Sequence, residues 1–204
     1  MSLEPLFSHP VAAAGSSLSE VGAAASACRQ CALAECRTQV VFGDGDPDAD
    51  LMFVGEGPGE QEDLQGLPFV GRSGRLLTQL VEGIGLRREH VYIANVVKCR
   101  PPGNRDPLPA EIDACSPWLD RQLALVRPRV VVTLGKFATQ LLLDTRTGIT
   151  KLRGQEFPFS RGGVDAVLLP TYHPAAVLRG GGKALAEARA DFVRIKRTLT
   201  RTSP

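Results

Sequence analysis

LMFVGEGPGEQEDLQGLPFVGRSG, Leu51 to Gly74, is the stretch that decides the fold. It opens on apolar residues 51–54, the pattern of a strand buried on both faces. It then breaks into Gly55, Gly57, Pro58 and Gly59 around one carboxylate, Glu56. A strand ending in such a turn points bare backbone N–H groups into the crevice at its carboxyl end, where open parallel sheets bind ligands. Glycine there removes Cβ atoms that would keep a ligand off the main chain. An ordinary tight strand–helix connection uses the same residues, so this stretch alone leaves both readings open.

Outward from the turn, strands and helices alternate. Residues 74–84 carry Leu76, Leu77, Leu80, Val81 and Ile84 on one helical stripe. Residues 91–97 read as a strand and 109–126 as a helix with proline near its start. Residues 130–134 read as a buried strand and 136–143 as a helix after Gly135. Residues 156–159 and 167–171 read as a hairpin-like pair, and 183–199 as a charged amphipathic final helix. On the N-terminal side, 19–27 is a short Ala-rich helix delivering Cys28, and 39–42 a short strand. GDGDPDAD, 43–50, is turn chemistry with no apolar period, and GEGPG is not followed directly by a helix. The alternation predicts a three-layer α/β/α domain around a mostly parallel sheet. The organisation expected is an arm and short helix over 1–27, one domain over 28–199 and a tail over 200–204, with no internal repeat.

Composition narrows the function classes. A chain of 204 residues can bury a sizeable core, and a formal net charge of +2 commits it to no global field toward nucleic acid. Arginine is frequent from Arg72 to Arg105 and from Arg179 to Arg201, which suits either a local phosphate-facing surface or solvated helix faces. No run is long and apolar enough to span a bilayer, so no membrane partner is expected. Residues 1–16 read as a loose arm, without the basic and apolar regions of a signal peptide. Five cysteines, Cys28, Cys31, Cys36, Cys99 and Cys115, make an odd count that argues for a reducing, cytoplasmic compartment over a disulfide framework.

Three motifs carry chemistry. Cys28-x-x-Cys31 is half of a metal site, with Cys99 and Cys115 as the other half and Cys36 a bystander. Four thiolates suit zinc or an iron–sulfur cluster; unrelated buried thiols are the bland alternative. Asn95 lies near a strand end, where an amide donates and accepts side by side and matches the edge of a pyrimidine. His173 follows a strand and precedes Pro174, which holds it in an extended conformation. A lone Asn more often caps a turn and a lone His more often serves structure; His9 and His90 stay in that class.

Taken jointly, the segments CRQC, VVFGDGDPDADLMFVGEGPGEQED, GLPFVGRSGRLL, VYIANVVKCRPPGNRDPLP, ITKLRG and YHPAAVLR resemble the type 4 uracil-DNA glycosylases, the iron–sulfur group of that superfamily. They run in family order from Cys28 to Arg179. The resemblance implies a central, mostly parallel four-stranded sheet, a monomer, and excision of uracil from single- or double-stranded uracil-containing DNA. It implies a [4Fe–4S] cluster held by Cys28, Cys31, Cys99 and Cys115. Glu56, Gly57 and Pro58 would line the uracil pocket, Phe69 would stack on the ring, Asn95 would read O4 and N3–H, and His173 would face O2. Glu56, Asn95 and His173 are the catalytic candidates, and Arg72, Arg105 and Arg179 the candidate DNA contacts.

Two departures stand out. Relatives exclude thymine with a Tyr from the turn that here holds Gly59, so Glu62, just past it, is the candidate to block the methyl group. Several branches orient water with Asp or Asn where this chain has Gly57, which leaves either Glu56 in that role or reliance on leaving-group stabilisation. The loop 101–109 has no His, so no covalent trapping of DNA is expected. The rival readings are a non-catalytic metal-stabilised nucleic-acid-binding module, a one-cluster electron-transfer protein and a nucleotide-binding glycine loop.

Overall fold

Every residue of strand Leu51–Gly55 is buried, because layers of helices cover both of its faces. The computed structural model describes residues 17–202, so the expected arm over 1–16 lies outside the described residues. In chain order the elements are α1 (Leu18–Ser26), β1 (Asp44–Gly45), β2 (Leu51–Gly55), α2 (Glu60–Gln65), α3 (Arg72–Glu82), β3 (Tyr92–Asn95), α4 (Pro109–Val126), β4 (Val130–Leu134), α5 (Lys136–Leu142), α6 (Ile149–Leu152), β5 (Phe157–Arg161), β6 (Val164–Thr171) and α7 (Pro174–Arg201). Among these no helix is long and apolar enough to cross a membrane.

The sheet order is β1-β3-β2-β4-β6-β5. The inner four strands are parallel, as expected, and an antiparallel strand extends each edge, making six. Side chains alternate across the sheet. Met52, Val54 and Ala94 face one core with Ile112, Trp118 and Leu119 of α4. Leu51, Phe53 and Val132 face the other with Leu77 of α3 and Phe192 of α7, whose ring stacks on Phe53 at 5.7 Å. The three layers follow from that alternation.

Four local expectations change. Residues 39–42 form no strand; Val41 donates a single N–H to the Lys98 carbonyl at 2.8 Å. The edge strand is instead β1, inside the stretch read as turn. There Gly45, at φ 122°, allows a close approach in which a Cβ would meet the Val91 carbonyl oxygen at 1.9 Å. Helix α2 does follow the glycine turn directly. It lacks an apolar stripe, and Glu60, Glu62 and Asp63 sit in its first turn, where carboxylates face the positive helix end. Finally, α7 begins at Pro174, suited to a first helical position, and continues past a kink at Gly181 (φ 67°) to Arg201.

Candidate active site

The carboxyl ends of the four parallel strands supply the site. β2 pairs with β3 on one side and β4 on the other, so the chain reverses its direction of travel there, the place where such sheets bind ligands. β2 ends at Gly55 and β3 at Asn95; Gly135 follows β4 and His173 lies just beyond β6. A Cβ on Gly55 would stand 2.4 Å from Asn95 Oδ1 and 2.8 Å from the Phe69 ring, so the bare glycine brings the amide and the aromatic together. The Phe69 and His173 rings lie 5.7 Å apart, tilted by 38°. Amide, phenyl and imidazole therefore converge. Asn95 is 1 % exposed, and its Oδ1 is buried with no hydrogen-bond partner. A buried orphan acceptor is costly, and a ligand N–H would relieve it.

His173 is half-buried and caps α7: its Nδ1 accepts the Ala175 N–H at 3.1 Å. That bond assigns the proton of the neutral ring to Nε2. Burial pulls the imidazole down to about 4, the positive Arg179 nearby pulls the same way, and Glu62 opposes them. The ring is thus an uncharged N–H donor near neutral pH. Glu56 lies in the turn after β2; burial, and then the negative charge of Asp106, raise its carboxyl above the usual range. Gly57 lies against Val97, with a Cβ there 2.8 Å from Val97 Cγ2, and Pro58 is buried.

Phe69 takes a left-handed backbone, φ 53°, which costs energy unless its surroundings enforce it. Glu62 Oε1 accepts the N–H groups of Val70 at 2.9 Å and Gly71 at 3.0 Å. Arg88 donates to the Pro68 carbonyl at 2.7 Å from the other side. Glu62 Oε2 lies 2.8 Å from where a Cβ on Gly59 would be, so this carboxylate fills space that a side chain at 59 would need. Arg88 and the bracing action of Glu62 escape a sequence reading because what they hold at this loop, the Pro68 carbonyl and the Val70 and Gly71 N–H groups, is backbone.

A second feature lies on the α4 side of the sheet. Cys28, Cys31, Cys99 and Cys115 line one small chamber with Ala25, Lys98 and Trp118. Cys36 is exposed and is not among the chamber residues. Arg37 donates to Cys99 Sγ at 3.3 Å, and the Lys98 N–H to Cys115 Sγ at 3.2 Å. Burial raises Cys31 and Cys99 and pushes Cys115 up to about 12. Among the described residues no three His, Cys, Asp or Glu side chains converge as a single ion requires. The thiols line one small chamber instead; in a polynuclear cluster each thiolate binds its own iron, so the four need not meet at one point.

The family model of the uracil DNA glycosylase superfamily matches residues 42–199. The chain is 47% identical over 167 residues to a type-4 uracil-DNA glycosylase of Sulfurisphaera tokodaii, covering 79% of this chain and 76% of the relative. It is 46% identical over 166 residues to one from Archaeoglobus fulgidus (79% and 83%), and 47% identical over 159 residues to one from Thermotoga maritima (78% and 81%). The chain belongs to the type-4 uracil-DNA glycosylase family.

Within this type-4 chain the arginines singled out from sequence separate. Arg72, at the start of α3, and Arg179, in the first part of α7, are exposed. Arg105 is instead engaged by Glu111 in a two-pronged ion pair, at 2.9 and 2.6 Å, and donates to the Asp106 carbonyl. Gly135, which the sequence reading passed over, proves part of the site. At φ 93° it backs His173, and a Cβ there would lie 2.8 Å from His173 Cβ. A glycine ending a strand was the signal available.

Proposed function

We propose that this protein is a uracil-DNA glycosylase, which takes a uracil turned out of DNA and hydrolyses its N-glycosidic bond, leaving an abasic site. The observation that carries the proposal is the orphan Oδ1 of Asn95 beside the Phe69 ring at the end of β3. Uracil N3–H donates to that oxygen, and the amide N–H group of Asn95 donates to O4. Cytosine offers an amino group where O4 would be and has no N3 proton, so it meets two mismatched contacts. Such a site rejects the wrong base strongly because its buried polar groups stay unpaired. Phe69 receives the face of the extrahelical ring.

Bond cleavage leaves positive charge on the sugar and negative charge on the departing base. His173, with its proton on Nε2, donates to O2 as charge builds there; one such donor is worth roughly 3–4 kcal/mol of barrier. Glu56 holds water for attack on the sugar. Its raised carboxyl and half-buried position support that role. Glu62 excludes thymine; its carboxylate fills the space that a side chain at residue 59 would need, which supports that role. Arg72 and Arg179 reach phosphates.

Cys28, Cys31, Cys99 and Cys115 hold a [4Fe–4S] cluster. Bound there, it supplies four iron–thiolate bonds that staple the N-terminal knuckle to the segment after β3 and to α4. The Arg37 and Lys98 donors to sulfur support this. Incubation with an end-labelled oligonucleotide containing one uracil, followed by alkali, tests the activity. Strand scission at the uracil is expected. Tight DNA binding without scission would replace the proposal with a non-catalytic binding module.

A further inference from the structure

We propose that Lys98 is a positioning residue that fixes the base-reading amide of Asn95 to the thiol chamber; this rests on the assignment of Asn95 to uracil recognition. Lys98 is 1 % exposed, among the least accessible side chains described, although it is a lysine. Its Nζ donates to the Asn95 carbonyl at 2.7 Å and to Gln122 Oε1, and it lies 5.8 Å from the centroid of the Phe42 ring. Its own main-chain N–H donates to Cys115 Sγ. One residue thus spans from a chamber thiol to the peptide that carries the base reader.

The backbone explains why Asn95 needs such a partner. Val96 donates its N–H to the Gly55 carbonyl at 2.9 Å, across the sheet toward β2. The Asn95 carbonyl, on the opposite edge of the same trans peptide, therefore points away from β2. On that side β1 pairs only with Tyr92 and Ile93, so no strand reaches the carbonyl. A buried carbonyl without a partner is unfavourable, and a folded-back lysine supplies the donor. Gln122 holds the ammonium from α4, with its own Nε2 donating to the Phe42 carbonyl at 2.7 Å and the Tyr92 hydroxyl at 3.0 Å. The whole support comes from the thiol-bearing side of the sheet.

The test is free-uracil affinity, read by titration, for the wild type, Lys98→Met, Asn95→Ala and the double variant, with iron per chain and abasic-site DNA affinity measured on each. Lys98→Met is expected to weaken free uracil about tenfold, the loss of one hydrogen bond from a charged donor, with iron content and abasic-DNA affinity kept. In the Asn95→Ala background the same change is expected to add less than about twofold, since coupled residues are not additive. Unchanged uracil affinity, a tenfold loss that persists without Asn95, or a loss that tracks iron and returns on reconstitution would each overturn the inference. Asn95→Ala with normal uracil affinity would overturn the base-reading assignment itself, and this inference with it. Should Lys98→Met fail to accumulate folded, Gln122→Met, which leaves the lysine in place, decides by the same outcomes.

Discussion

At His173 the local hydrogen bond and the surroundings agree on one protonation state. Nδ1 is occupied by the Ala175 N–H, and burial holds the ring near a pKa of about 4. His173→Ala is expected to lower the single-turnover excision rate by about 10²–10³-fold, the cost of one oxyanion-type donor. Quenched-flow or gel-based single turnovers check this, and a loss under threefold would remove the donor role. Stability carries a sign as well. The folded value lies below the ordinary 6.5, so between about 6.5 and 4 the unfolded chain binds a proton that the fold refuses. Stability contributed by residue 173 is therefore complete above that window and falls as pH drops through it. Melting temperature against pH should fall less steeply over that window for His173→Asn than for the wild type. Residue types at this scale were legible only jointly: Asn95, Phe69 and His173 each have a bland reading alone. Lys98 and Gln122 gave no signal, because a buried lysine looks like any other lysine in a sequence.

Among the elements, the ends of β2, β3, β4 and β6 converge, and small residues let them do so. Gly135→Ala introduces a side chain at φ 93° against His173 and is expected to cost about 1–3 kcal/mol of stability. Excision is expected to fall at least tenfold in the fraction that remains folded, as measured by urea denaturation and single turnovers on the same preparation. Glu62 joins α2 to the Phe69 loop. Glu62→Ala removes the acceptor for Val70 and Gly71, so uracil excision should fall and thymine opposite guanine should begin to be accepted. Thymine rejection at wild-type strength in Glu62→Ala would leave that residue only its bracing role. The four long parallel strands could be read from apolar runs because burial on both faces writes itself into composition. β1, α2 and the early start of α7 could not. A strand of two residues is defined by its partner, a one-and-a-half-turn helix has no stripe, and Pro174 fits a loop as well as a first helical turn.

Across the whole molecule, two cores share one sheet. On the α7 side, Arg153 binds Asp191 through two hydrogen bonds, at 3.0 and 2.8 Å, and Thr171 adds a third at 2.8 Å. That clamp fixes the strand end that delivers His173. Asp191→Ala leaves a half-buried guanidinium without its carboxylate and Thr171 without its acceptor, and is expected to cost about 1–3 kcal/mol, measurable in urea unfolding. On the α4 side the proposed clamp is a cluster held by the four thiols. Chelation of the cluster proposed there is expected to lower the melting temperature and to proceed faster as pH falls, because protons compete with metal for the thiolates.

The positions of those thiols also set a timetable for synthesis. Cys28 and Cys31 leave the ribosome long before Cys99 and Cys115, with both β2 and β3 made in between. The nascent chain must therefore carry a waiting pair of sulfurs, open to stray oxidants, until α4 has emerged. A metal centre built on these four thiols could close only after Cys115 has been made, with β2 and β3 already synthesised.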